Sequence, residues 1–352
     1  MKKIYVKDIK ERDNVSDVFL VTKKESGVSK SGKPYLVLKL MDSSGEIESR
    51  VWDDAERLDK NFQKNDIVNI KGYTVAYQGG LQINLSAIAT APEGQYSLRD
   101  FMPASLRDPA EMVVELDGVI ASINDVNLKA LLKAVFEDPA LRSRFISSPA
   151  AKSMHHAYLS GLMEHVLSIC SLAAKVSDHY GAAINKDLLI SGALLHDIGK
   201  IYELSCERSF EYTDEGRLLG HITIGIELID SKVREMKAFP RELAVLLKHM
   251  ILSHHGHLEY GSPKRPKTIE AIVLYYLDDL DAKVSAVKSL IEKDADPAAS
   301  WTPYQRIFER NIFKGTAPGE APGLPPVDVL KADVAIPGRD DDDKPGILNL
   351  FS

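Results

Sequence analysis

The sequence predicts a multidomain protein: an N-terminal all-β barrel followed by an all-α helical bundle. Three observations predict it. Residues 15 to 90 alternate apolar and polar side chains, with Gly-containing turns between the runs, which is the period of half-buried strands. From Asp108 onward the period becomes that of amphipathic helices, twice behind an Asp-Pro start, at Asp108-Pro109 and Asp138-Pro139. All ten histidines lie between His155 and His257, inside the helical part. Imidazoles gathered among acids have the composition of a metal site.

At 352 residues the chain is long for a single hydrophobic core, so two domains are expected. Its net charge of −7 does not advertise nucleic acid. The charge is uneven: residues 1 to 90 carry 15 Lys/Arg against 13 Asp/Glu, or +2, and the remainder carries −9. The two cysteines, Cys170 and Cys206, are far apart and form no metal or disulfide pattern, which points to a reducing compartment. The first residues, MKKIYVKDIKERD, hold no apolar core of signal-peptide length, and no apolar run reaches transmembrane length. A cytoplasmic protein without membrane contact is expected.

Taken in order, VSDVFLVTKK, PYLVLKLMD and GEIESRVW read as three strands, the last two joined by the turn Asp42-Ser43-Ser44-Gly45. Residues 53 to 62, DDAERLDKNF, have helix composition behind an Asp. DIVNIKGYTVAY and LQINLSAIA are two further strands, linked through Gln78-Gly79-Gly80, a hairpin signal. Five strands with a helix between the third and fourth match the order of an OB-fold. Residues 91 to 105, with two prolines and a glycine, read as a linker. The expected divisions are 1–92 for the barrel, 93–150 for a linker and helical spacer, 151–313 for the metal domain, and 314–352 for a disordered tail rich in Pro, Gly and Asp.

The helical part centres on residues 188 to 200, LLISGALLHDIGK, where His196-Asp197 ends an apolar run. Burying a carboxylate beside an imidazole costs several kcal/mol, roughly, unless a cation compensates. His165, His196-Asp197, His221, His254-His255 and Asp278 are separated by 31, 25, 33 and 24 residues, about one helix and its connection each. Each ligand would then come from its own helix and converge in one bundle. Asp278 and Asp281 share a helix face at i, i+3. Lys200 follows His196 by one turn, placed either to neutralise a phosphate oxygen or to lie exposed at a helix end. His155 and His156 precede the His165 helix and either contact substrate phosphates or cap it. The acidic residues of YELSCERSFEYTDEGRLLG are expected in a solvated polar loop.

The N-terminal 80 residues resemble OB-fold nucleic-acid-binding domains in K-S-G-K-P-Y, D-S-S-G-E-I-E, Trp52 and Y-Q-G-G-L-Q-I. OB-folds bind single strands with aromatic platforms and basic loops. Tyr35, Trp52 and Tyr77 are the candidate stacking residues, with core packing as the alternative. Lys23, Lys24, Lys30 and Lys33 are the candidate phosphate contacts, with a solvated loop as the alternative.

The helical part resembles the HD superfamily of metal-dependent phosphohydrolases in His165, His196-Asp197 and Asp278, with His221 and His254 completing a two-metal pattern. The wording HHAYLSGLMEHV, LLHDIGK, GHITIG, ILSHHG and YYLDDLDAK behind an OB-fold is similar to the YhaM family of 3′–5′ exoribonucleases, over roughly residues 1 to 313. That resemblance implies two divalent ions, manganese first, with magnesium, cobalt or iron as alternatives. His165, His196, Asp197 and Asp278 would hold one. Asp197 would bridge to a second at His221 and His254, with His255 nearby. Asp197, Lys200 and His221 would carry the catalysis, Asp281 would orient a ligating histidine, and the product would be nucleoside 5′-monophosphates. The implied partners are single-stranded RNA, then single-stranded DNA, with homo-oligomerisation also open. The other reading of the same site is a phosphohydrolase of free or cyclic nucleotides with a regulatory barrel. The C-terminal ILNLF resembles a sliding-clamp-binding peptide in Leu348, Leu350 and Phe351 but has Ile347 where that peptide has glutamine.

Overall fold

In the computed structural model the described residues are 2–315, apart from 30, 78, 93, 153–155, 207–209, 295 and 297. The chain divides into two compact units, 1–292 and 293–352. The division falls after Glu292, ahead of the boundary expected at 313.

Five strands close the barrel: β1 (Asn14–Val28), β2 (Pro34–Asp42), β3 (Gly45–Val51), β4 (Ile67–Tyr77) and β5 (Gly80–Thr90). Their order is β1-β2-β3-β5-β4, with β4 pairing back to β1. The β3–β5 pair is parallel and the others are antiparallel. Alternation fills the interior, because successive side chains on a strand point to opposite faces. Leu36, Leu38 and Leu40 of β2 are all buried, as are Phe19, Val51, Ile70 and Ile83. At Gly72 an added Cβ would lie 2.6 Å from the Asn84 carbonyl oxygen, so glycine lets β4 and β5 close where their register shifts. Helix α1 (Ala55–Asp59) is shorter than expected. Asp54 before it is left-handed, with φ 55°, and its side chain caps nothing.

The linker is tied down rather than loose. Phe101 and Met102 pack with Val18, Leu20 and Ile67 on the outside of the barrel and with Leu159 of the helical part. Backbone bonds from Ser105 N to the Leu159 carbonyl and from Leu159 N to the Pro103 carbonyl, both 2.9 Å, join the two parts.

The helical part contains α2 (Pro109–Ser122), α3 (Val126–Phe136), α4 (Pro139–Ser147), α5 (Gly161–Tyr180), α6 (Lys186–Leu195), α7 (Lys200–Glu203), α8 (Asp214–Glu235), α9 (Arg241–Ser253) and α10 (Ile269–Glu292). A short hairpin, β6 (Leu204–Ser205) with β7 (Glu211–Tyr212), follows α7. Asp108, Asp125 and Asp138 each accept a bond from a first-turn N–H, the N-cap that Asp supplies. The segment expected as a spacer is part of the bundle. Leu116, Leu131 and Phe136 share one buried core with Val166 of α5, Leu194 of α6, Met250 of α9 and Leu274 of α10. At Gly192 an added Cβ would meet Met250 Cε at 2.2 Å, so α6 and α9 approach closely just before His196.

Within the second unit, Trp301 and Phe313 pair with ring centroids 5.0 Å apart, and Lys314 meets Asp294 at 2.7 Å. The expected disordered tail from 316 on, including the ILNLF peptide, lies outside the described residues. Among the described residues no helix is long and apolar enough to cross a membrane.

Candidate metal centre

The ligand candidates arrive from five helices. His165 sits in α5, and His196 caps the C-terminus of α6. His221 follows the non-helical Gly220 in α8, His254 caps α9, and Asp278 lies in α10. Two glycines make the meeting possible. Gly220, with φ 72° and ψ 154°, breaks α8 so that His221 starts a fresh helical run. Gly199 packs so tightly on that run that an added Cβ would lie 2.0 Å from the His221 carbonyl oxygen. The turn after His196-Asp197 is thereby pressed against His221.

Asp197 is the centre of the arrangement, and its two oxygens face two groups of donors. Oδ2 lies 3.7 Å from His165 Nε2 and 3.3 Å from His196 Nε2. Oδ1 lies 3.5 Å from His221 Nε2 and 3.6 Å from His254 Nε2. Asp278 Oδ1 joins the first group, 3.2 Å from His165 Nε2 and 3.8 Å from His196 Nε2. His165, His196 and Asp278 form one set whose ligand atoms lie within 4.8 Å of one another, and His221, His254 and His255 form another.

The far side of each ring fixes which nitrogen is free. Nδ1 of His196, His254 and His255 bonds the carbonyls of Ala193, Ile251 and Tyr260 at 2.8, 2.7 and 2.8 Å. A carbonyl only accepts, so these Nδ1 atoms carry the proton and the Nε2 atoms hold lone pairs. Among the described residues, the buried Nε2 atoms of His196, His221 and His254, and Asp197 Oδ1, have no hydrogen-bond partner. Lone pairs and carboxylate oxygens aimed at a common point repel unless a cation lies between them. The donor set of imidazoles and carboxylates without thiolate fits divalent metal.

Charge completes the site. Lys200 Nζ lies 2.6 Å from Asp197 Oδ2; burial works against its charge, but Asp197 more than offsets this and its pKa is raised. Burial likewise opposes ionisation of Asp197 and Asp278, yet Lys200 beside Asp197 and the hydrogen bond from His165 to Asp278 help hold both carboxyls below the usual range. Burial, with His255 beside it, keeps His254 well below the ordinary imidazole value and so ready to ligate. Burial also opposes charging of His165, but hydrogen bonds to Asp278 and Asp281 outweigh it and lift its pKa to about 9. Near pH 7.5, metal-free His165 is therefore protonated, and loading metal is expected to release about one proton from it. Calorimetric titration in buffers of different ionisation enthalpy measures this; loading without proton release contradicts it. The release fades as pH rises through about 9, above which His165 is already neutral.

Outer partners hold the rings. Asp281 accepts from His165 Nδ1 at 2.7 Å and also binds Ser168 Oγ. It also meets His156 Nε2, at 3.0 Å. His156 is buried, with Nδ1 on the Tyr158 hydroxyl at 2.7 Å. Both its nitrogens are thus engaged, which corrects the expectation that it contacts substrate phosphate or caps α5. His155 lies outside the described residues.

Glu203 is a further correction. The sequence places it in a solvated loop, but it is buried, and one oxygen lies 3.0 Å from both His221 Nδ1 and the His221 backbone N–H. The short α7 turns it back toward His221, and Gly216 lets the chain pass, since an added Cβ there would lie 2.3 Å from the Glu203 carbonyl oxygen. Glu203→Ala is expected to weaken metal binding at the His221 and His254 side by about 10–100-fold, the usual cost of losing a carboxylate behind a ligating histidine. A metal titration with two resolved affinities checks this; unchanged affinities would contradict it.

On the barrel, Tyr35 and Trp52 stack with centroids 5.0 Å apart and planes 26° apart. The Arg50 guanidinium lies 5.8 Å from Tyr35, 5.4 Å from Trp52 and 5.2 Å from Tyr77. Trp52 and Tyr77 are 42% and 44% exposed, so this is a surface platform and not core packing. Sequence reasoning misses Arg50, which lies near the end of β3 two residues before Trp52. Lys23 is exposed beside Glu25, and Lys33 is exposed on the β1–β2 loop. Lys24 departs from the expected phosphate contact: its amine bonds the Asp59 and Phe62 carbonyls, both at 2.7 Å, and the Asp59 carboxylate. Lys30 lies outside the described residues.

A cleft of about 240 Å³, lined in part by Lys200, His254, His255 and Asp278, opens the donor set to solvent. Residues 162–283 match the HD domain family, and residues 20–90 match a family described as an OB-fold nucleic acid binding domain. The chain thus carries a domain that indicates a metal-dependent hydrolase behind an OB-fold. Among solved structures, it is similar to the second OB-fold domain of replication protein A from Methanococcus maripaludis at 20% identity, covering 26% of this chain and 98% of that one, with TM-score 0.22. It is also similar to the OB domain of a Thermoplasma acidophilum protein at 17% identity, covering 27% and 91%, with TM-score 0.22. A third likeness is to PriB from Ralstonia solanacearum at 11% identity, covering 22% and 97%, with TM-score 0.21.

Proposed function

We propose that this protein is a metal-dependent 3′–5′ exonuclease that hydrolyses single-stranded RNA, and secondarily single-stranded DNA, to nucleoside 5′-monophosphates. The observation that carries the hydrolytic part is Asp197 with its two oxygens facing two sets of ligand atoms. His165, His196, Asp197 and Asp278 would hold one ion, and Asp197, His221 and His254, with His255 beside them, a second. Divalent ions there, manganese first, supply the charge that acidifies a water and neutralises phosphodiester oxygens. The protein's part is to fix the ligands. Carbonyls and carboxylates behind the rings hold each Nε2 on target. Lys200 keeps a positive charge on the wall of the cleft, where a phosphate oxygen would enter.

The barrel supports a polymer over a small substrate. Its Tyr35–Trp52–Arg50–Tyr77 face offers stacking and cation–π contacts to bases of any sequence. The 3′ polarity rests on the resemblance to the YhaM family. The test is a 5′-end-labelled RNA and a matching DNA incubated with manganese, with and without chelator. A ladder of shortening products that chelator and His196→Ala abolish is expected. Intact strands, together with hydrolysis of free or cyclic nucleotides, would overturn the polymer reading and favour a nucleotide phosphohydrolase.

A further inference from the structure

The cleft beside the metal centre carries aromatic side chains that neither ligate metal nor hold its ligands. Tyr260 and Tyr275 line it together with His254, His255 and Asp278. His257 joins the two tyrosines edge-on, 5.5 Å from the Tyr260 ring and 5.7 Å from the Tyr275 ring. Tyr276 packs beside Tyr275 at 4.7 Å.

The arrangement is built, not incidental. Gly256, with φ 74°, sits so close to Tyr275 that an added Cβ would lie 2.3 Å from the ring, which folds the loop back over α10. The Tyr260 carbonyl is then bonded by His255 Nδ1 at 2.8 Å, so the backbone that presents the tyrosine is anchored to a ring of the metal centre. Yet Tyr260 is 65% exposed, so the fold gains little from its burial. An exposed aromatic held at a fixed place beside phosphate-handling donors suits a flat ring attached to that phosphate.

We propose that Tyr260 and Tyr275, braced by His257, form a nucleobase-stacking subsite for the nucleotide being removed. This rests on the exonuclease reading and adds its selectivity at the reacting end. A base must leave its duplex partner and neighbouring stack to present a face to Tyr260. The helical part would therefore demand an unpaired 3′ end by itself, independently of the barrel. Base–aromatic stacking tolerates every base, so sequence preference at this position would be weak.

The test compares two otherwise identical single strands, one with a normal 3′-terminal nucleotide and one with an abasic terminus. The wild type is expected to remove the normal nucleotide about ten-fold faster at limiting substrate, the size of one stacking contact. Tyr260→Ala should erase most of that preference, and Tyr260→Phe should keep it, because the ring and not the hydroxyl does the stacking. A second readout needs no turnover. With metal-free protein, 2-aminopurine at the 3′ terminus should be quenched on binding to the wild type and Tyr260→Phe but not to Tyr260→Ala. Metal content and melting of each variant report whether the centre and the fold survive. Strand shortening with equal rates on normal and abasic ends would overturn the subsite and leave the exonuclease reading standing. No shortening of either strand by the metal-loaded protein would take down both.

Discussion

Asp197→Ala is expected to strip the centre of both ions and to lower hydrolysis by at least about 10³-fold, because one side chain serves both donor sets. Its carboxylate lies within 3.3–3.7 Å of four imidazole nitrogens. Asp278 does not take its place, since among these contacts it reaches only the His165 and His196 group. The same substitution leaves Lys200 buried without its contact anion, a loss that costs about 3–5 kcal/mol when a buried pair is broken. Asp197→Asn preserves volume and separates the two effects: it should retain more of the fold but still fail to bridge. Metal content by elemental analysis, thermal melting and strand hydrolysis read the three consequences. Full metal content with activity within about ten-fold of the wild type would mean that Asp197 does not join the two sets.

Trp52→Ala is expected to weaken binding of single strands by about ten-fold or more, the contribution of one stacked base. Trp52 is the middle of the platform: it stacks on Tyr35, lies under Arg50 and is fixed by its Nε1 donating to Asn84 Oδ1 at 3.2 Å. Its removal leaves Tyr35 uncovered on one side and Arg50 with less to rest on. Because the platform is on the barrel and the ligands are in the helical part, the loss should appear in KM and leave kcat nearly untouched. Arg50→Ala should act in the same direction and also flatten the salt dependence of binding, as loss of a phosphate-neutralising charge does. Titration of a labelled strand at two salt concentrations checks both. Equal affinities for wild type and Trp52→Ala would mean that the platform does not bind the strand.

The features legible in the sequence are those that chemistry restricts to few residue types or to one spacing. Few residue types bind divalent metal, and His165, His196, Asp197, His221, His254 and Asp278 stand about one helix apart, so their convergence can be read from spacing. The barrel is legible because half-buried strands enforce alternation, as at Leu36, Leu38 and Leu40. Glu203 is not legible, because nothing in its sequence neighbourhood reveals that α7 is only four residues long and returns it to His221. Lys24 misleads for a related reason. It reads as loop charge, but β1 runs on to Val28 and puts the amine at the end of α1. The Tyr260 and Tyr275 pair depends on a turn at Gly256, a matter of backbone sign that composition does not carry. His156 looks available because paired histidines before a helix are cheap to leave in solvent. It is buried because Asp281, 125 residues on, accepts from it.

If one carboxylate joins two metal positions within a single helical bundle, the ions themselves should be visible on either side of it. Crystals of the full chain soaked in manganese, with data collected at the manganese absorption edge, would locate them. Two anomalous peaks are expected, one among His165, His196 and Asp278 and the other among His221, His254 and His255, with Asp197 between them. A single peak, or manganese bound away from Asp197, would contradict the bridged centre.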